Sequence, residues 1–164
     1  MHALPHQVLP TAKVMARARN GTDTMMRVLF DTGSSINCVR VSAAEKLKVT
    51  NLEINRPLTL HTLAGTDDSM KNYIEIYLLS PGGAKIPVHC YVMREFVKLP
   101  CVDVSEDEIH SYYPDVLLNE RYPRPVVEID ILLGIQHTVM LMGRYRRPLT
   151  RELILTSTMW GSTL

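Results

Sequence analysis

The sequence predicts a mainly β fold with one or two short helices, and three stretches carry that expectation. Met26-Arg27-Val28-Leu29-Phe30 is an apolar, β-prone run that passes straight into Asp31-Thr32-Gly33-Ser34-Ser35. Far downstream, Val126-Val127-Glu128-Ile129-Asp130-Ile131-Leu132-Leu133-Gly134-Ile135 is β-branched and ends in two leucines and a glycine, the pattern of a buried strand feeding a tight turn. Upstream, Arg19-Asn20-Gly21-Thr22-Asp23 holds an Asn-Gly step, a strong hairpin signal.

The remaining elements follow in order. Residues 11–18 and 26–30 form the two arms of the Asn-Gly hairpin, so the strand that ends at Asp31 is its second arm. A strand continues over 36–41. Ser42 is placed as a helix N-cap with Glu45 completing a capping box, over a short helix reaching Lys48. Residues 58–63 and 73–79 are strand-like and flank a polar, glycine-containing tip, Gly65-Thr66-Asp67-Asp68-Ser69. Pro81-Gly82-Gly83 makes a turn, and 85–93 alternates as a further strand, with His89 a strand neighbour rather than a ligand. Over 95–125 the pattern breaks at Pro100, Pro114, Pro123 and Pro125; it contains an acidic surface patch at 103–108 and a short helix over 115–119. Arg144-Tyr145-Arg146-Arg147 reads as a solvated turn, with contact to RNA or an acidic partner as the less favoured use. The apolar stretch 152–160 is β-prone and serves either as a core strand or as an interface strand anchored by Trp160.

Composition bounds the function. A chain of 164 residues that is 46% hydrophobic can bury a core of its own, and no repeat or low-complexity linker divides it. No apolar run is long enough to cross a bilayer, and the start lacks the charged and apolar regions of a signal peptide. Cys38, Cys90 and Cys101 cannot all pair within one chain and lack metal-ligand spacing, so reduced thiols in the cytoplasm or nucleus are expected, with no metal. A net charge of +1 gives no case for a nucleic-acid surface across the whole domain.

Asp31 is the residue with chemistry. A strand holds its end still, so a carboxylate placed there sits at a rigid, partly desolvated position suited to acid/base work. Gly33 permits the turn, and Thr32 and Ser34 bring hydroxyls to the carboxylate or the nearby backbone. Asp-Thr-Gly is also ordinary turn chemistry, in which Asp bonds its own backbone two residues on and Gly takes positive φ. The tripeptide alone leaves both readings open; the run ending at Gly134 favours the first.

Together these two elements resemble the retropepsin-like aspartic proteases, in which one strand carries Asp-Thr/Ser-Gly and a later apolar-apolar-Gly strand threads beside it. Within that family the chain is most similar to proteases of Pao/BEL-type retrotransposons and their domesticated relatives. The Asp31-Thr32-Gly33-Ser34 start, the Ala43-Ala44-Glu45-Lys46-Leu47 helix, the long insertion, the Ile129-Asp130-Ile131-Leu132-Leu133-Gly134 block and the closing Thr158-Met159-Trp160-Gly161 carry the likeness over 11–161. Residues 1–10 are then an N-terminal extension and 162–164 the C-terminal end.

The resemblance implies a closed acid-protease barrel or sandwich, with a flap over about 58–79 whose substrate-facing residues are Leu63, Ala64, Gly65 and Thr66, and Asp67 and Asp68 at its tip. It implies catalysis by Asp31, Thr32 and Gly33, with Ser34, Leu132, Leu133 and Gly134 supporting the active loop, and no cofactor. Two carboxylates must share one proton in this chemistry, and the motif occurs once, so a homodimer acting on a peptide or polyprotein is expected. Thr32 is the candidate for bonding across the two-fold axis. Asp130, which alternates with its isoleucines, is structural rather than a catalytic partner. Viral relatives carry an Asp–Arg pair where this chain has Ser35 and Ile135, a joint loss that strands no charge. The alternative is a retropepsin-like fold retained as a non-cleaving dimerisation or protein-binding module.

Overall fold

The computed structural model describes residues 9–19, 21–49, 54–62, 65–94, 96, 98–151 and 153–164, of which 54–62 and 65–71 by their backbone alone. In chain order the elements are β1 (Thr11–Ala18), β2 (Thr24–Phe30), β3 (Cys38–Arg40), α1 (Val41–Lys46), β4 (Ile54–Thr62), β5 (Gly65–Leu79), β6 (Lys85–Met93), α2 (Glu106–Tyr112), β7 (Ile131–Leu133), α3 (Ile135–Leu141), β8 (Met142–Pro148), β9 (Ile154–Thr158) and β10 (Gly161–Thr163). The mainly β expectation holds, and a third helix, α3, joins the one or two foreseen.

Seven strands lie in the order β1-β2-β7-β3-β6-β5-β4, and β1 pairs again with β5, which closes six of them into a barrel. Alternation builds its interior: Ala12, Val14, Ala16 and Ala18 of β1 point inward with Met26, Val28 and Phe30 of β2, Ile74, Ile76 and Leu78 of β5, and Val88 and Cys90 of β6. Full burial of each larger aliphatic side chain stabilises the fold by about 1.5–3 kcal/mol. Tyr73 and Tyr77 alternate with those inward residues, and Glu75 between them pairs with His89 across the β5–β6 ladder at 2.7 Å. His89 is thus a strand neighbour, as its sequence position suggested.

The two arms expected to form a hairpin, β1 and β2, do pair antiparallel, with Thr11 opposite Leu29 and Ala16 opposite Thr24; Asn20 lies outside the described residues. Several other expectations are corrected. The strand expected over 36–41 is only Cys38–Arg40, because the chain turns into α1 at Val41. The capping box at Ser42 and Glu45 does not form: Arg40 holds the N-cap position with no side-chain cap, and Ser42 lies inside α1 with its hydroxyl buried and unpartnered. The phase of α1 is set by packing, which buries Ala43 and Leu47 in the barrel core.

The polar tip expected at 65–69, Asp67 and Asp68 included, is strand instead. Thr62 pairs with Gly65 and His61 with Thr66, so Gly65 and Thr66 belong to the long strand β5, whose continuation from the barrel extends the pairing. Leu63 and Ala64 fall outside the described residues.

The helix expected over 115–119 is instead α2, which starts within the acidic patch. Ser105 caps it by accepting the Glu108 N–H at 3.2 Å, and Glu106, Asp107 and Glu108 occupy the first turn, where the helix dipole favours negative charge. Ile109 of α2 joins Val102, Val104, Tyr122, Leu155 and Leu164 in a second core. That core joins the insertion to a three-stranded sheet of order β10-β9-β8. Leu164 is buried there and donates its N–H to the Tyr122 hydroxyl at 2.9 Å, so residues 162–164 are packed structure. Arg144-Tyr145-Arg146-Arg147 is strand β8 rather than a turn, because Arg146 and Arg147 pair with Thr156 and Leu155.

Among the described residues, no helix is long and apolar enough to cross a membrane.

Candidate active site

Asp31 is the first residue beyond β2. Strand β7 runs parallel to β2, with Val28 opposite Ile131 and Phe30 opposite Leu133, and antiparallel to β3, with Cys38 opposite Leu132. β7 therefore threads between two strands that are themselves joined by the loop carrying Asp31. The Asp31 N–H extends the ladder one step past β2 by donating to the Leu133 carbonyl at 3.0 Å, and the Thr138 hydroxyl of α3 donates to the same oxygen at 3.1 Å.

The loop is closed from beneath by Gly134. A Cβ there would lie 2.6 Å from the Ile36 carbonyl oxygen and 2.9 Å from that of Ser34, so only glycine lets the two backbones approach. Ile135 donates its N–H to the Ser34 carbonyl at 2.8 Å, and Gly134 donates its N–H to Asn37 Oδ1 at 2.8 Å. The amide group of Asn37 also donates to the His89 carbonyl at 3.2 Å and lies 3.2 Å from His137 Nδ1. Since Nε2 of His137 faces the Pro87 carbonyl at 3.1 Å, Nε2 donates and Nδ1 accepts from Asn37.

Within the loop, Asp31 Oδ1 accepts the Gly33 N–H at 2.8 Å, and the Ser34 N–H reaches the Asp31 carbonyl at 3.3 Å. The Ser34 hydroxyl donates to the Ile36 carbonyl at 2.8 Å. The turn chemistry and the strand-end placement of Asp31 are thus both present. Gly33 does not take positive φ; its role is close approach, since a Cβ would lie 3.2 Å from Asp31 Oδ1. Thr32, Gly33 and Ser35 are exposed, while Asp31 and Ser34 are half-buried. Leu133 is buried in the barrel core, and Leu132 packs half-buried between Leu29, Leu99 and Ile129 on one side and Cys38 and Tyr91 on the other.

The structure brings Asp31, Thr32, Gly33, Ser34, Leu132, Leu133 and Gly134 together. Asp130 is engaged elsewhere: Oδ2 accepts the Arg27 N–H at 2.8 Å and Oδ1 accepts from the Arg40 guanidinium at 2.6 Å. Hydrogen bonding to Asp130 is the foremost cause that raises Arg40 above its ordinary pKa, so this pair serves the barrel wall. Behind the loop, burial pushes the Cys38 thiol up to about 12.

Asn37, His137 and Thr138 complete the brace and were not singled out from the sequence. The one sequence signal for Asn37 is its place just past the Asp31 turn, because its partner Gly134 lies far along the chain. Among the described residues no group of three or more His, Cys, Asp or Glu is placed to hold a metal ion. No family model, curated protein or solved structure matches the chain.

Proposed function

We propose that the chain is a retropepsin-like aspartic endopeptidase that works as a homodimer. The observation that supports this reading best is the threading of β7 between β2 and β3, which holds Asp31 on a braced loop while its neighbours Thr32 and Gly33 stay open to solvent. In the dimer, two copies of Asp31 meet at the two-fold axis, and like charges at that separation cannot both ionise. The ionised carboxylate takes a proton from the water between them. The protonated one polarises the scissile carbonyl, giving a tetrahedral intermediate that collapses with protonation of the leaving amine. Thr32 braces the two loops across the axis. The substrate is an extended peptide or polyprotein segment beneath the β4–β5 hairpin, and the three unpaired thiols favour a reducing compartment, cytoplasm or nucleus.

Incubating the purified protein with a mixed peptide library at mildly acidic and neutral pH tests this. Cleavage is expected, and Asp31→Asn or a statine-type inhibitor should abolish it. Identical blank digests from folded, dimeric wild type and Asp31→Asn would reject hydrolysis and leave the dimerisation or protein-binding module.

A further inference from the structure

Strand β8 pairs with β9 alone among the described residues, so its other edge carries no strand; the Tyr113 hydroxyl donates to the Pro148 carbonyl at 2.6 Å at its end, and Gly143 through Pro148 are all exposed. The N–H and C=O groups of such an edge can template pairing with another chain, and the arginines, Pro148 and the register shift of β8 restrict which chains can pair there. Arg144, Arg146 and Arg147 on this strand make no ion pair among the described residues, which gathers three exposed cations on one short strand.

Backbone phase tells which groups are offered. The Tyr145 N–H donates to Ser157 Oγ, and that hydroxyl donates back to the Tyr145 carbonyl, both at 3.2 Å, so Tyr145 faces β9. Alternation then turns the N–H and C=O of Arg146, in the regular stretch that follows, to the open edge. Gly143 makes this arrangement accessible: a Cβ there would fall 2.1 Å from Ser157 Oγ, and the register shifts between Met142 and Arg146.

The two faces of the strand differ. Tyr145 and Arg147 line a cavity of about 330 Å³ together with Asp115, Leu117, Leu155 and Ser157. The Arg147 guanidinium is held there between the rings of Tyr113 and Tyr145, 5.3 and 5.8 Å from their centroids. Arg144 and Arg146 do not line it, and Arg146 lies on the other face by alternation with Arg147.

We propose that the open edge of β8 docks an extended acidic peptide as an added strand, at a site separate from the Asp31 loop. Acidic residues of the peptide meet Arg144 and Arg146, and the bulky apolar residue between them enters the cavity, where the Asp115 carboxylate opposes a second acid. A second copy of the chain does not fit this edge, because antiparallel self-pairing sets one arginine row against another. RNA would satisfy the arginines through phosphate but leaves the strand-edge amides and carbonyls without their matched partners.

The test uses the whole chain carrying Asp31→Asn, so that the peptide is not cut, and a fluorescein-labelled peptide containing Thr-Glu-Phe-Glu-Thr followed by fluorescence anisotropy. Saturable binding is expected. Joint replacement Arg144→Ser and Arg146→Ser, both on exposed side chains, should weaken it about tenfold or more. Methylating alternate backbone amides of the peptide should abolish it in one phase and spare it in the other. Absence of binding, equal affinity for the Lys-Phe-Lys analogue, or insensitivity to both methylation phases overturns the proposal. So does displacement of the peptide by oligouridine RNA that binds more tightly, or a dimer that dissociates when the two arginines are removed. Anisotropy does not depend on cleavage, so a catalytically silent protein leaves the result readable.

Discussion

Cys38 in β3 and Cys90 in β6 are buried thiols on neighbouring strands just behind the Asp31 loop, whereas Cys101 is exposed. Burial raises both, Cys38 to about 12 and Cys90 well above its ordinary value. A folded-state pKa above the unfolded value means that the unfolded chain releases protons first as pH climbs. The protonated Cys38 thiol contributes fully below its unfolded value near 9.0, and that contribution is lost as pH rises from there towards 12; the Cys90 contribution is lost in the same direction. The slope is about 1.4 kcal/mol per pH unit for each thiol. Urea unfolding between pH 7 and 10.5 should show stability falling in the alkaline range, and less steeply in Cys38→Ala and Cys90→Ala; parallel curves would contradict this. At this scale the sequence announces Asp31, because a charged residue after an apolar run stands out. It does not announce Asn37, whose meaning depends on Gly134, or His137, which lies in a stretch with no chemistry of its own.

Elements were legible where their signals are local. The Asn-Gly step placed β1 and β2, and period-two alternation placed β6 at the observed bounds. The same local logic failed at α1 and α2 for opposite reasons. At α1 a Ser42–Glu45 pattern suggested a cap, but burial of Ala43 and Leu47 set the helix phase and left the Ser42 hydroxyl unpartnered. At α2 the Ser105–Glu108 spacing is a genuine capping signal, hidden inside a patch that reads as solvated surface. The insertion is tied to the barrel by charge as well as by its own core. Glu120 accepts from Arg27 of β2 at 2.9 Å and pairs with Arg124 at 3.6 Å, and both Glu120 and Arg124 side chains are almost wholly buried. Removing the shared carboxylate leaves two guanidinium groups buried without their counter-charge. Glu120→Ala should therefore destabilise the protein by about 3–5 kcal/mol, read as a lower urea midpoint. A shift below about 1 kcal/mol, the size expected of a surface pair, would contradict that account.

The whole molecule is two cores sharing one chain: a closed barrel carrying the Asp31 loop, and a smaller core formed by the insertion with the β8–β10 sheet. The class of the fold was legible because β-prone runs dominate the sequence. The division of labour was not, since the second core unites residues from Val102 to Leu164 that show no shared periodicity. If Asp31 works only beside its twin, activity belongs to the pair and depends on total protein concentration. Specific peptidase activity should fall on dilution through the dissociation range tracked by mass photometry. Activity that stays proportional to concentration, while only monomer is detected, would rule the shared dyad out. Strand pairing across the barrel also bears on synthesis. β7 is wedged between β2 and β3, yet it lies at Ile131–Leu133, so a nascent chain on the ribosome carries its Asp31 turn unbraced until residues 131–135 have been made. The wait is topological: the brace around Asp31 closes only once the chain between β3 and β7 has been made and β7 has found its place between its two neighbours.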